Sequence, residues 1–222
     1  MNAQSEIRLE LGKSVECTDG AAGVLEDFVV DPTTKHITHI VVQPPHRHDE
    51  ARLVPIALVE LGGGDEHQIA LACTRAELCE LAQAQRFAYL QIGDFLVEDP
   101  DWDVGVQDVL ALPYYEAAGP DGYAGVLNPE TGVIYDRVPK GEVEIRRASA
   151  VVAADGHDLG HVDGFLVEGD HITHLVLERG HLWGKREVTI PITSVEKVET
   201  DLVTLTLSKD EVGDLPAHHV RR

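Results

Sequence analysis

Two stretches of this chain follow one pattern. Asp19-Gly20 opens a segment that runs through Gly23 and the apolar stretch to Asp31, then into His36-Ile37-Thr38-His39. Roughly 135 residues later, Asp155-Gly156 opens the same succession through Gly160 and Glu168 into His171-Ile172-Thr173-His174, the mark of one supersecondary unit used twice. A Pro-Ile step follows in each, at Pro55-Ile56 and Pro191-Ile192.

With 222 residues the chain accommodates two modest domains, each able to bury a core without disulfides or a structural metal. No apolar run approaches the ~18 residues of a membrane span. The opening Met1 to Ser14 has neither the basic start nor the apolar core of a signal peptide, so a cytoplasmic chain is expected. Cys17, Cys73 and Cys79 are odd in number and sit at no metal-ligand spacing, which argues for a reducing compartment. Cys73 continues the alternation Ile69, Leu71, where the second repeat has Val203, Leu205, Leu207, and is expected to be a small core hydrophobe.

Short runs with strand character fall at 14–18, 24–31, 37–43, 52–56 and 68–72, and again at 150–153, 161–167, 172–178, 187–190 and 202–207, separated by Asp-Gly, Asp-Pro, Pro-Pro and Gly-Gly-Gly turn signals. Short strands at this spacing predict a mainly β chain of small barrels or sandwiches. After the last strand of each repeat the period changes. Thr74-Arg-Ala-Glu77 and Ser208-Lys-Asp-Glu211 are matched capping boxes, predicting a short helix that closes each unit, the second ending by Gly213 or Leu215.

The expected organisation is a first domain over 1–85, a connecting segment over 86–137 and a second domain over 138–222. The segment is acidic, without Lys or Arg from Phe87 to Asp136, yet its Trp and Tyr residues are too many for a disordered linker. Val126-Leu127 and Val133-Ile134 around Asn-Pro-Glu-Thr-Gly read as a hairpin. The run Glu98 to Asp103 lacks the ligand spacing and central Gly of an EF-hand and reads as a solvated acidic loop.

The repeated Asp-Gly turn, Gly23 and Gly160 before the apolar strand, the paired His-Ile-Thr-His strands, the Pro-Ile steps and the capped helices together resemble the PRC-barrel family, and 180–191 is similar to bacterial stand-alone members. The resemblance covers about Leu11 to Leu81 and Val138 to Leu215. It implies two small antiparallel β-barrels, each closed by a C-terminal helix, used for docking rather than catalysis. The family includes the cytoplasmic domain of the photosynthetic reaction-centre H subunit and the C-terminal domain of the ribosome-maturation factor RimM. The chain shows neither the membrane helix of the first nor the RNA-maturation domain of the second.

Lys and Arg number 18 against 39 Asp and Glu, a formal charge of −21. That opposes direct nucleic-acid binding, which needs a basic stripe to displace counterions, and favours a protein partner with a basic surface. No nucleophile-and-base constellation is legible, no serine stands in a G-x-S-x-G elbow, and Gly12-Lys13-Ser14 leads into a strand where a phosphate loop would feed a helix. No catalytic, cofactor or metal residues are assigned. Histidines i and i+3 on an unbroken strand face opposite ways, so the two of each His-Ile-Thr-His cannot share an ion, and a site would have to be built across strands. The candidate partner-binding element is His181, Leu182 and Trp183, framed by Gly180 and Gly184 and followed by Lys185 and Arg186, because Trp and Arg supply most binding hot spots. The alternative is that Trp183 packs down as a lid. The expected function is a non-enzymatic adaptor, with the two barrels paired as an intrachain pseudo-dimer or the chain as a homodimer. The alternatives are a histidine-based metal or small-ligand store, and a ribosome-maturation-like factor acting through a ribosomal protein.

Overall fold

The computed structural model describes residues 6–45, 51–60, 68–90, 101–108, 131–146, 149–179 and 186–219. The first repeat supplies β2 (Ser14–Cys17), β3 (Gly20–Asp31), β4 (His36–Gln43), β5 (Arg52–Pro55), β6 (Val59–Glu60), β7 (Gln68–Leu71) and α1 (Arg75–Glu80), preceded by β1 (Ile7–Glu10). The middle of the chain supplies β8 (Gln85–Leu90), β9 (Trp102–Asp108) and β10 (Thr131–Pro139). The second repeat supplies β12 (Ala150–Val152), β13 (Asp158–Glu168), β14 (His171–Arg179), β15 (Arg186–Pro191), β16 (Val195–Glu199), β17 (Leu202–Leu205), α2 (Lys209–Gly213) and β18 (Ala217–His219), preceded by β11 (Val143–Arg146).

The chain is mainly β, as its turn spacing predicts. Fifteen strands form one mixed sheet whose central path reads β16-β17-β12-β13-β14-β4-β3-β2-β7-β6, a palindrome in which each strand of one repeat mirrors its counterpart in the other. The centre of the palindrome is thin: β4 and β14 share one register pair, His36 with His171. Phe28 and Phe165 meet edge to face with centroids 5.0 Å apart, and one buried apolar cluster contains residues of both repeats.

The first strands are exchanged. β1 pairs not with its own repeat but with β13, Leu9 opposite Phe165, and β11 pairs with β3, Ile145 opposite Phe28. β11 occupies in the second repeat the place that β1 occupies in the first, so the exchange is reciprocal. Leu9 and Ile145 are each 1% exposed and carry the apolar side of the bargain. Their neighbours on the strand, Arg8 and Glu10, Glu144 and Arg146, lie on the opposite face by alternation.

Both repeats bend at the same places. The rungs skip Glu26 between Leu25 and Asp27, and Asp163 between Val162 and Gly164, giving each long strand a bulge with an acidic residue. A second bulge skips Thr38 and Thr173. It sends Ile37 and Ile40 both into the core, so strict alternation fails here and His36 and His39 share the other face of β4. This corrects the expectation that they face opposite ways. Gly23, with φ +156°, accepts the carbonyl of Gln43 at 2.1 Å from where a β-carbon would stand, and Gly160 does the same with Glu178 at 2.4 Å, which explains a glycine at that point in each repeat.

Both capping boxes form as read: Glu77 N donates to Thr74 Oγ1 and Thr74 N to Glu77, and Ser208 with Glu211 repeats the arrangement. The Asp of each Asp-Gly turn also reaches these helices, Asp19 accepting from Arg75 N at 2.8 Å and Asp155 from Lys209 N at 3.3 Å. Cys73 is buried in the core, as expected, and Cys17 beside it is pushed up to about 12, first by burial and then by Cys73.

β8-β10-β9 form a separate three-stranded sheet. A second apolar cluster of Val29, Val41, Ala51, Leu53, Ala84 and Val138, with Trp102 against it, seats this sheet on the outer face of β3-β4-β5. Trp102 and Asp103 thus belong to a strand rather than to the acidic loop expected there, and the Arg137 guanidinium lies over the Trp102 ring at 4.1 Å. The expected hairpin partner Val126-Leu127 lies outside the described residues. Among the described residues no helix is long and apolar enough to cross a membrane.

Candidate functional site at the seam between the repeats

Each exchanged strand is clipped at its start by one polar trio. Glu6, just before β1, meets His174 Nδ1 at 3.0 Å and receives the Thr173 hydroxyl, while Thr173 Oγ1 stands 3.1 Å from the same ring nitrogen. Glu142, just before β11, receives the Thr38 hydroxyl at 2.5 Å and lies 3.6 Å from His39 Nδ1, which is itself 3.1 Å from Thr38 Oγ1. Burial holds His39 below the ordinary histidine range against the opposing pull of Glu142. In a nucleophilic triad the acid and the hydroxyl occupy opposite nitrogens of the imidazole. Here both sit on Nδ1, so the trios fasten strands and have no relay geometry.

Behind the clips the two exchanged strands carry their charges in reversed order. In the β13 slot Arg8 pairs with Glu10 and Glu187 and stands 3.8 Å from Asp163, while Lys13 reaches Glu10 at 3.5 Å. Glu10, Asp163 and Glu187 come within 4.8 Å of one another, the only group of three such ligand types among the described residues. The Arg8 guanidinium is already in contact with all three, which accounts for the cluster as a cage for one cation. In the β3 slot Glu144 replaces Arg8 and Arg146 replaces Glu10; Arg146 reaches Glu144 through Nη2 at 3.2 Å, and its backbone N donates to the buried Ser149 hydroxyl at 2.8 Å.

That second slot crowds carboxyls. Burial first, then Asp27, Asp201 and Glu26, push Glu144 up to about 8, and burial with Glu26 pushes Asp27 up to about 7 against the pull of Arg146. Glu144 and Asp27 are both buried, and their like charges oppose one another's ionisation. Because these folded-state values lie above the unfolded ones, both groups add stability in acid that is lost as pH rises through about 7 to 8. Glu144→Gln is therefore expected to be more stable than wild type by on the order of 2 kcal/mol at pH 9, roughly 4–8 °C, and to lose that advantage at pH 5. Parallel melting-temperature profiles of the two proteins from pH 5 to pH 9 would show that Glu144 ionises freely.

At the centre of the seam the His36 and His171 rings meet at 4.9 Å between centroids, at 73°. Asp170 Oδ2 stands 3.5 Å from His36 Nδ1. Of the candidate partner-binding residues, His181, Leu182, Trp183 and Lys185 lie outside the described residues. Arg186 opens β15, in register with Arg179 on one side and His219 on the other. Sequence reasoning missed Glu6, Arg8, Glu142 and Glu144. The signal was present: carried upstream of the recognised repeat, the alignment sets Glu6 over Glu142 and Arg8-Leu9-Glu10 over the charge-reversed Glu144-Ile145-Arg146.

No protein-family model matches this chain, and no curated protein does either.

Proposed function

We propose that this protein is a non-enzymatic docking protein built on two small antiparallel β-barrels of PRC type, acting as an adaptor for a protein partner with a basic surface. The observation that carries the reading is the three-stranded sheet seated on the outer face of β3-β4-β5: the repeat unit already serves as a platform for β-structure within this chain. The resemblance of the repeated turns and strands to PRC-barrels supports it. So do the clips of the seam, where Glu6 with His174 and Glu142 with His39 fasten the exchanged strands. The charge of −21 favours encounter with a basic protein and disfavours phosphate backbones.

The test is capture of partners by the purified full chain, with cross-linking, comparing wild type with Trp183→Ala at low and high salt. The expected result is a specific protein retained by wild type, released by salt and lost in the variant. Retention of nothing by either protein would end the docking reading, and co-sedimentation with ribosomes would redirect it to a ribosome-maturation role through a ribosomal protein.

A further inference from the structure

The one rung that joins β4 to β14 is the weakest link of the ten-strand path, and it places one histidine of each repeat side by side. Cross-strand neighbours of this kind have their β-carbons about 5 Å apart, close enough for both side chains to reach one small ligand. The ring centroids stand 4.9 Å apart. Two imidazoles bound through Nε2 to one tetrahedral ion, at about 2.1 Å per bond, have centroids about 5 Å apart. The separation already present is the one a shared ion would impose.

The surroundings favour Nε2 as the ligand atom. The Asp170 carboxylate takes the Nδ1 side of His36 at 3.5 Å, the second partner that orients metal-binding imidazoles and leaves the lone pair on the other nitrogen. His36 and Asp170 keep 40% and 61% of their side-chain surface exposed, and His171 is exposed, so an ion and its waters have access. The neighbouring cation is directed elsewhere: the Lys35 ammonium donates to the carbonyls of Ile192 and Val195. Asp31, the rung partner of His36, is engaged with Thr33 and Thr34.

We propose that His36 and His171 form a two-histidine site for a divalent cation of the zinc class, which bridges the two repeats at the centre of the sheet. Imidazole ligands favour zinc, copper and nickel over the oxygen-seeking calcium and magnesium. Bound there, the ion staples the repeats where a single rung holds them. The site is independent of the docking reading, and neither depends on the other.

The test is zinc titration of the metal-free full chain by calorimetry and thermal unfolding, for wild type, His36→Ala, His171→Ala and the control His157→Ala. Wild type is expected to bind one equivalent more than either seam variant, or to bind that equivalent at least tenfold more tightly, and to gain melting temperature on binding. His157→Ala should behave as wild type. Copper as a spectroscopic probe should show two equatorial nitrogens in wild type and fewer in the seam variants. His36→Gln, which preserves hydrogen bonding but offers no imidazole, covers the case in which alanine alters the fold, since it too should lose the equivalent. Equal stoichiometry and affinity in wild type and the seam variants would overturn the site, whatever the remaining histidines bind.

Discussion

Gly164→Ala is expected to lower the melting temperature by roughly 10 °C and to release the N-terminal strand from the sheet. A β-carbon at position 164 would stand 2.1 Å from the Leu9 carbonyl oxygen and 2.9 Å from Glu10 Cα. Both are backbone atoms of β1, so no rotamer change relieves the contact; the strand itself has to move. Movement withdraws Leu9 from the core, where its burial stabilises by about 1.5–3 kcal/mol. It also breaks the rungs from Ile7 to Glu10. A combined loss of about 3–5 kcal/mol at about 2–4 °C per kcal/mol gives the stated shift. Thermal unfolding measures it, and hydrogen exchange at residues 7–10 should accelerate in the same variant. Gly213→Ala, whose added carbon meets nothing within 4 Å, should melt within about 1 °C of wild type. A Gly164→Ala protein that melts like wild type would mean that β1 is not seated on β13 as described.

Arg8→Glu should destabilise by a comparable amount through charge alone. It removes the cation from Glu10, Asp163 and Glu187 and adds a fourth carboxylate to them, with the side chains of Asp163 and Glu187 only 4% and 9% exposed. Stranding buried charges in this way costs about 3–5 kcal/mol. Arg8→Glu with Glu187→Arg should recover at least about 1 kcal/mol over additivity. A deficit unchanged by the paired substitution would trace it to lost packing of the Arg8 stem. The same logic explains the reversed order of charge on the two exchanged strands. Glu144 placed in the β13 slot would meet Asp163 and Glu187, so that slot accepts Arg8 and repels the strand of its own repeat.

What the sequence displayed was local. The Asp-Gly turns, the capping boxes of Thr74 and Ser208, and the Ile69-Leu71-Cys73 alternation are written within a few residues of where they act, and the structure has them there. The exchange of β1 and β11 was hidden because each is only four residues long and its partner lies more than a hundred residues away. Nothing in Ile7-Arg8-Leu9-Glu10 read alone tells which of the two slots it fills. The bulges at Thr38 and Thr173 defeated the face assignment of the histidines for a related reason: a skipped residue leaves the composition of a strand unchanged and inverts every direction after it. Glu144 and Asp27 were unreadable as buried acids because they are brought together by the pairing of β11 with β3, strands more than a hundred residues apart.

The reciprocal exchange governs how this chain is made. During synthesis β3 emerges from the ribosome long before β11, so the first repeat lacks a strand of its own sheet until residue 146 has been delivered, and the second repeat is completed by the strand that left first. Neither repeat can close early, and such long-range closure slows folding. Folding therefore waits for nearly two-thirds of the chain, and a nascent chain stalled before Val143 exposes the Phe28 edge of β3 to any strand that fits it.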